Sequence, residues 1–368
     1  MTIGFMLSKL IMLVISEQEV RALADIDELI EALEKAHIQY STHSAVMPVR
    51  LVVPLPAIQG RITSMPGFLS DDKALGMKVV TYFQQNPKLD LPAILATIML
   101  FSADTGKIIA IMDGSYITAI RTACASAMAT KALANPQTPV LGILGAGVQA
   151  RAHIQALSRV RKIESIRLYS PSGTSAAAIK KDMAPQLNCV IEVAHNAETV
   201  VRDADLLVTV TTAKEPILKS EWLKPGVHIN AVGSHRPDLR EIDGATLARA
   251  TIVVDSREAI MAECGDILLA LKEKIIGENA IHAEIGEVLA KTKAARKNTD
   301  EITLYKSVGI AIQDVGGESR VSQSAGERRR NDGRNLARPS HPPFNRAAGF
   351  KCGPAQNSHD LGSHQLLS

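Results

Sequence analysis

Apolar and polar positions along this chain follow three successive rhythms. Residues 12–15 form a short apolar run read as a first strand, preceded by a leader at 1–11. Ser16 follows as a helix cap, with Glu19 placed to close a capping box. Val20, Leu23, Ile26, Ile30, Leu33 and His37 then recur at three- and four-residue steps, which predicts an amphipathic helix. The rhythm next shortens. Residues 49–58, 62–65, 76–83, 93–101 and 107–112 read as strands broken at Pro66-Gly67, Asn86-Pro87 and Thr105-Gly106, a mixed α+β layer. An Ala- and Ser-rich stretch at 113–134 predicts a helix that lets neighbours approach closely, ending before Pro136.

From residue 135 the pattern becomes strand, turn, helix. The apolar run 140–144 leads into Gly145-Ala146-Gly147-Val148-Gln149-Ala150 and then into helical spacing through Leu157. Further runs at 166–169, 206–210, 228–232 and 251–254 continue the alternation expected of a Rossmann-type, doubly wound parallel sheet. The expected organisation is thus an α/β protein with an α+β domain at 12–134, a dinucleotide-binding domain at 135–300 and a return segment to the first domain at 301–315. Residues 316–368, rich in Gly, Ser, Arg, Asn and Pro and lacking an apolar period, read as a disordered basic tail.

Composition narrows the function. Hydrophobic residues make up 46% and charged residues 21%, enough for a sizeable core. Aromatics are only 3%, with Trp222 the single tryptophan, which argues against stacking platforms for single-stranded nucleic acid. The net charge of +3 comes from the tail, where eight Lys/Arg face four Asp/Glu, so the body has no basic face for nucleic acid. The apolar N-terminal stretch is interrupted by Ser8 and Lys9 and is too short for a membrane span. Four scattered cysteines, without a C-x-x-C pair, indicate neither a metal site nor a disulfide framework and suit a reducing cytoplasm.

The strongest chemical signal is Gly145-x-Gly147-x-x-Ala150 between a strand and a helix. The first Gly permits the tight turn, the second lets backbone approach a pyrophosphate, and Ala150 allows helix and strand to pack. Free amides at the helix start favour the phosphates. The end of the following strand, with Ser170 and Ser172, carries no acid to hold a ribose 2′-hydroxyl. Lys180 and Lys181 lie nearby, so NADPH is favoured, with NADH possible.

Arg50, Lys78 and Arg121 sit in apolar or small-residue settings, where an unpaired charge is costly. Each implies either a bound carboxylate or an internal salt bridge. His235 and Arg236 follow an apolar run, in the loop position where such sheets bind ligands, although a loop His is often just a surface residue. Asp255 and Asp266 read as cap or turn residues and Cys264 as a small buried thiol.

Taken together, MPxR at Arg50, GxK at Lys78, IRTACASAMATKALA, LGILGAGVQARAH, VTVTTAKEPIL, INAVGSHRPDLREID, VDSREA, GDI and AEIGEVL resemble the ornithine cyclodeaminase/mu-crystallin family, in order over about residues 12–315. The resemblance implies a homodimer whose first domain serves substrate binding and dimerisation. It implies that Arg50, Lys78 and Arg121 hold a substrate carboxylate, that Gly145, Gly147, Val148, Gln149 and Ala150 line the pyrophosphate, and that Thr211, Thr212, Val232, Gly233 and Ser234 lie on the nicotinamide side. Two departures stand out. Cyclodeaminases carry a proton-accepting Asp where this chain has His235, and the relatives' last helix is replaced after Asp314 by polar, Arg-rich sequence. The activity implied is NAD(P)H-dependent reduction of cyclic ketimines such as Δ1-pyrroline-2-carboxylate and Δ1-piperideine-2-carboxylate, with Lys78, Arg121 and His235 as the catalytic candidates. The alternatives are an ornithine cyclodeaminase, an amino-acid dehydrogenase, or an NADPH-linked binder of a thyroid-hormone-like ligand.

Overall fold

A computed structural model describes residues 12–331, with side chains through residue 327; the expected leader at 1–11 and residues 332–368 lie outside the described residues. Two sheets organise it. The first holds β1 (Leu13–Ile15), β2 (Ala45–Val46), β3 (Leu51–Leu55), β4 (Gly60–Leu69), β5 (Ala74–Phe83), β6 (Ile94–Ser102) and β7 (Ile108–Asp113), in the order β1-β7-β6-β5-β4-β2 with β3 also on β4. Only β1 against β7 is parallel; the remaining pairs are antiparallel. The second holds β8 (Val140–Leu144), β9 (Ser165–Tyr169), β10 (Val190–Val193), β11 (Leu206–Thr209), β12 (His228–Ala231), β13 (Thr251–Val254), β14 (Ile281–Glu284) and β15 (Thr303–Lys306). Its order is β10-β9-β8-β11-β12-β15-β13-β14, parallel throughout, as the alternation predicted. Every residue of β11, β12 and β15 is buried, as strands covered on both faces are, including the polar His228, Asn230, Thr303 and Lys306.

The helices are α1 (Glu17–Leu23), α2 (Ile26–Ser41), α3 (Ser115–Leu133), α4 (Val148–Val160), α5 (Thr174–Met183), α6 (Ala197–Val201), α7 (Gly244–Arg249), α8 (Arg257–Glu263), α9 (Gly265–Lys272), α10 (Ile285–Leu289) and α11 (Ala311–Asn331). The capping box at Ser16 and Glu19 forms. The single helix expected beyond it is two, because the Asp25 carboxylate accepts the amides of Asp27 and Glu28 and starts α2 afresh. The Ala-rich α3 packs against β6 of the first sheet and β12 and β15 of the second. Its small side chains make that double contact possible, and Asn230 Nδ2 donates to Thr130 Oγ1 at 3.0 Å across it.

Two expectations about the C-terminal part need correction. Residues 303–306, read as part of a return to the first domain, form β15 and insert into the second sheet between β12 and β13. Residues 316–331, read as disordered tail, instead continue α11. Ala311, Val315, Glu318, Val321, Ser322 and Ala325 are all buried, at steps of three and four. Glycines allow the close packing. A Cβ at Gly67 would stand 3.3 Å from Ala311 Cβ, one at Gly76 3.3 Å from Val315, and one at Gly316 3.3 Å from Ala36. Arg320 then clamps α11 to α2 with two bonds to Glu28, 2.9 and 2.7 Å.

Candidate active site

The register of the second sheet aligns the last residues of its strands. Tyr169 pairs with Leu144, Leu144 with Thr209, Thr209 with Ala231, Ala231 with Lys306, and Lys306 with Val254. All the loops that follow therefore open on one edge, the carboxyl edge where doubly wound sheets bind ligands.

At β8 the chain turns through Gly145 at φ +106°, where a Cβ would lie 2.6 Å from the Val210 carbonyl oxygen, so only glycine fits. Gly147 is different. A Cβ there would meet nothing within 4 Å, and Gly147 caps α4 without any side-chain hydrogen bond. The α4 amides thus face an open approach beside the exposed Val148, while Ala150 is fully buried where α4 packs on the sheet. The Gln149 side-chain oxygen is buried and has no partner among the described residues. A bare backbone cradle at a helix N-terminus suits a pyrophosphate, so these residues fit the dinucleotide that their spacing predicts.

Beyond β9, Ser170 is mostly buried and its Oγ receives a 3.1 Å hydrogen bond from Ser175, while Ser172 is exposed. Gly173 at φ +70° starts α5, whose Lys180 and Lys181 are exposed. No carboxylate stands between Tyr169 and Ser175.

On the neighbouring loops one residue does the holding. The buried Glu241 carboxylate accepts Thr209 Oγ1 at 3.0 Å and the amides of Thr211 at 2.6 Å and Gly233 at 2.7 Å. Burial pushes its pKa up. It thereby fixes the loops bearing Thr211, Thr212, Val232, Gly233 and Ser234, and Ser234 donates to the Leu239 carbonyl at 2.7 Å. Asp266 accepts the Glu241 and Ile242 amides and pairs with Lys306 at 3.0 Å, both residues wholly buried, so it is an ion-pair partner as well as a turn residue. His235 lies exposed on the same loop and donates from Nδ1 to the Gly233 carbonyl at 2.9 Å. Crowding around its ring, with the positive charges of Arg61 and Arg50 adding to it, lowers its pKa to about 4. The imidazole is therefore neutral near neutrality, and its Nε2 can only accept.

The three basic residues converge on the strap 307–314, between β15 and the second turn of α11. Asp255 anchors the strap, its carboxylate accepting Ser307 Oγ and the amides of Val308 and Gly309 at 2.8–2.9 Å. Arg50 donates to the Val308 and Gly309 carbonyls at 2.8 and 2.5 Å and pairs with Glu263 at 2.9 Å. It borders a small cavity lined by Met47, Pro48, Met65, Glu263 and Gly309. Arg121, reaching from α3, packs beneath Gly309, pairs through Nε with Asp314 at 2.8 Å and donates to Gln313 Oε1 at 2.5 Å. Lys78, reaching from β5, donates to the same Asp314 oxygen at 2.7 Å. Burial, then Arg121, lowers its pKa to about 8.

Arg50, Lys78 and Arg121 thus meet at one strap, each with an internal carboxylate in the ligand-free chain. Sequence reasoning assigned no role to Asp314, Glu241, Glu263 or Glu318. Asp314 entered only as the last residue before the C-terminal departure; Glu241 and Glu263 pair across distances that no local pattern encodes, and Glu318 lies in a stretch read as tail.

Known proteins resemble this chain over most of its length. The Δ1-pyrroline-2-carboxylate reductase of Bacillus cereus is 38% identical over 305 residues, covering 83% of this chain and 94% of the relative. The ketimine reductase mu-crystallin of Macropus fuliginosus is 38% identical over 304 residues, covering 82% and 93%. Among solved structures, Thermococcus litoralis Δ1-pyrroline-2-carboxylate reductase in complex with NADH and L-proline superposes with a TM-score of 0.83 at 39% identity, covering 86% of this chain and 98% of that one. Family similarity also runs past the strap into α11, for residues 11–328 match the ornithine cyclodeaminase/mu-crystallin family, and the chain belongs to it.

Proposed function

We propose that this protein reduces cyclic ketimines, Δ1-pyrroline-2-carboxylate and Δ1-piperideine-2-carboxylate, to proline and pipecolate with a reduced nicotinamide dinucleotide. The observation that carries this reading is the meeting of Arg50, Lys78 and Arg121 at a strap beside the carboxyl edge of the second sheet, in a chain 39% identical to a pyrroline-2-carboxylate reductase. When bound, the reduced nicotinamide supplies hydride to the imine carbon. The chain's own residues do the rest. Gly145, Gly147, Val148, Gln149 and Ala150 hold the pyrophosphate, and Thr211, Thr212, Val232, Gly233 and Ser234, tied down through Glu241, border the nicotinamide. Arg50 and Arg121 bind the substrate carboxylate and so orient the imine carbon.

The imine nitrogen needs one proton as the carbon takes hydride. An ammonium with a pKa near 8 is well matched to give one at neutral pH, which favours Lys78 as donor. His235, neutral with its Nδ1 proton committed to Gly233, is left an accepting role through Nε2. The open, acid-free loop at Ser170 and Ser172, with Lys180 and Lys181 near, supports NADPH, while NADH remains a substrate. The first sheet serves substrate binding and dimerisation. Leu51, Val52 and Val53 on β3, Ile62 on β4, and Ile94 and Leu95 on β6 are exposed at one end of that sheet, an apolar area that suits burial against a second copy. Among the described residues no helix is long and apolar enough to cross a membrane. Cys124, Cys189 and Cys264 are unpaired, which supports a reducing cytoplasm.

The test is to follow nicotinamide absorbance with each ketimine and each cofactor. Fast oxidation, quicker with NADPH, is expected; no oxidation by a folded protein sinks the assignment.

A further inference from the structure

α11 carries a group the proposed reaction does not use. Glu318 lies one helical turn beyond Asp314, is wholly buried, and among the described residues neither of its carboxylate oxygens has a hydrogen-bond partner. The charged groups that act on it come from three elements: Asp314 from α11 itself, Lys78 from β5 and Arg121 from α3. His37, on α2, bonds to Gln313 and is held neutral, burial lowering its pKa to about 3. Glu28, also on α2, is committed to Arg320.

Counting charge shows what Glu318 decides. Lys78 and Arg121 both spend themselves on one Asp314 oxygen. With Glu318 ionised, two cations would face two carboxylates and nothing would remain for an anionic substrate. With Glu318 neutral the cluster keeps one unbalanced positive charge. An ionised carboxylate with no donor is the costlier state in a dry interior. The balance agrees: burial and the Asp314 charge push the Glu318 carboxyl well above its usual range, outweighing Lys78 and Arg121.

We propose that Glu318 is a positioning residue for substrate binding. By carrying its proton behind Lys78 and Arg121 it leaves the surplus charge that draws in a ketimine carboxylate, and by losing that proton it cancels the surplus. This rests on the reductase reading for its substrate, yet the cluster acts on any small carboxylate placed at the strap.

The experiment compares the wild-type protein with Glu318→Gln, which keeps shape and cannot ionise, from mildly acid to alkaline pH. In the wild type, KM for Δ1-pyrroline-2-carboxylate is expected to rise about tenfold per pH unit above a break set by Glu318, which lies below the break that loss of the Lys78 proton imposes on kcat. In Glu318→Gln that break should move up by a pH unit or more; the same break in both proteins overturns the proposal. Glu318→Ala serves, with the same expectation, if the amide does not fold. A second readout needs no turnover. Calorimetric titration of L-proline in two buffers of different ionisation heat should show proton uptake above the break by the wild type and less by the variant. A wild type that binds L-proline with this uptake yet oxidises no cofactor sinks the reductase reading alone. Equal uptake by both sinks Glu318 alone, and no L-proline binding sinks both.

Discussion

The two halves of the site are built from different materials. The half proposed for the nucleotide is made of backbone: a glycine turn, the free amides of α4, and loops whose amides are gathered by Glu241. The half proposed for the substrate is made of buried charged side chains brought together from β5, α3 and α11. Each half also buries one lysine. Lys306 has Asp266, whereas Lys78 shares Asp314 with Arg121. A backbone cradle is fixed by local turns, but a charge cluster exists only while the whole fold holds its members in place, and each member answers for the others' charge.

That contrast can be broken from either side. The largest effect expected is on stability. Asp266→Ala strands the ammonium of Lys306 and should cost about 3–5 kcal/mol in urea unfolding. Asp314→Asn should cost less, about 1–3 kcal/mol, because Glu318 lies one turn away and can ionise to replace the lost charge. Asp314→Asn combined with Glu318→Gln should then lose more than the sum of the two single changes. Strict additivity would mean that Glu318 is not in reserve.

Next comes the substrate carboxylate. Arg121→Ala should lower kcat/KM for Δ1-pyrroline-2-carboxylate by about 1.5–3 kcal/mol, mostly through KM, with little change in NADH affinity. Unaltered steady-state kinetics would remove Arg121 from the site. The backbone half should respond the opposite way. Because a Cβ at Gly147 meets nothing in the ligand-free protein, Gly147→Val should leave the ligand-free melting temperature nearly unchanged while weakening NADH binding about tenfold or more. Equal NADH affinity by fluorescence titration would mean that the loop does not hold the pyrophosphate.

The smallest change tests cofactor choice. Ser172→Asp places a carboxylate in the acid-free loop and should shift preference from NADPH towards NADH by about tenfold, roughly 1.4 kcal/mol, read as the ratio of the two kcat/KM values. No shift would place the adenosine ribose elsewhere.

The same division governs what could be read in advance. The glycine turn, the parallel order of β8, β9, β11, β12 and β13 and the isolation of Arg50, Lys78 and Arg121 are local facts of spacing and burial. The end of the chain was misread for a physical reason. α11 buries Ser322, Ala325, Gly316 and Glu318 in place of large apolar side chains, so its three- and four-residue period has little hydrophobic contrast. Its stability comes from close approach to α2 and the first sheet, through Gly67 and Gly76, which no window on the helix itself contains. β15 was merged with the strap because four buried residues look alike whichever sheet receives them.

The sequence by itself determined the parallel sheet, the glycine turn after β8 and which basic residues require an anion, because each follows from neighbours a few positions apart. Only the tertiary structure decided which anion each receives. Arg121 and Asp314 lie far apart in the chain, as do Lys78 and Glu318, and the charge on a buried carboxylate is set by what the fold packs around it rather than by the residues on either side.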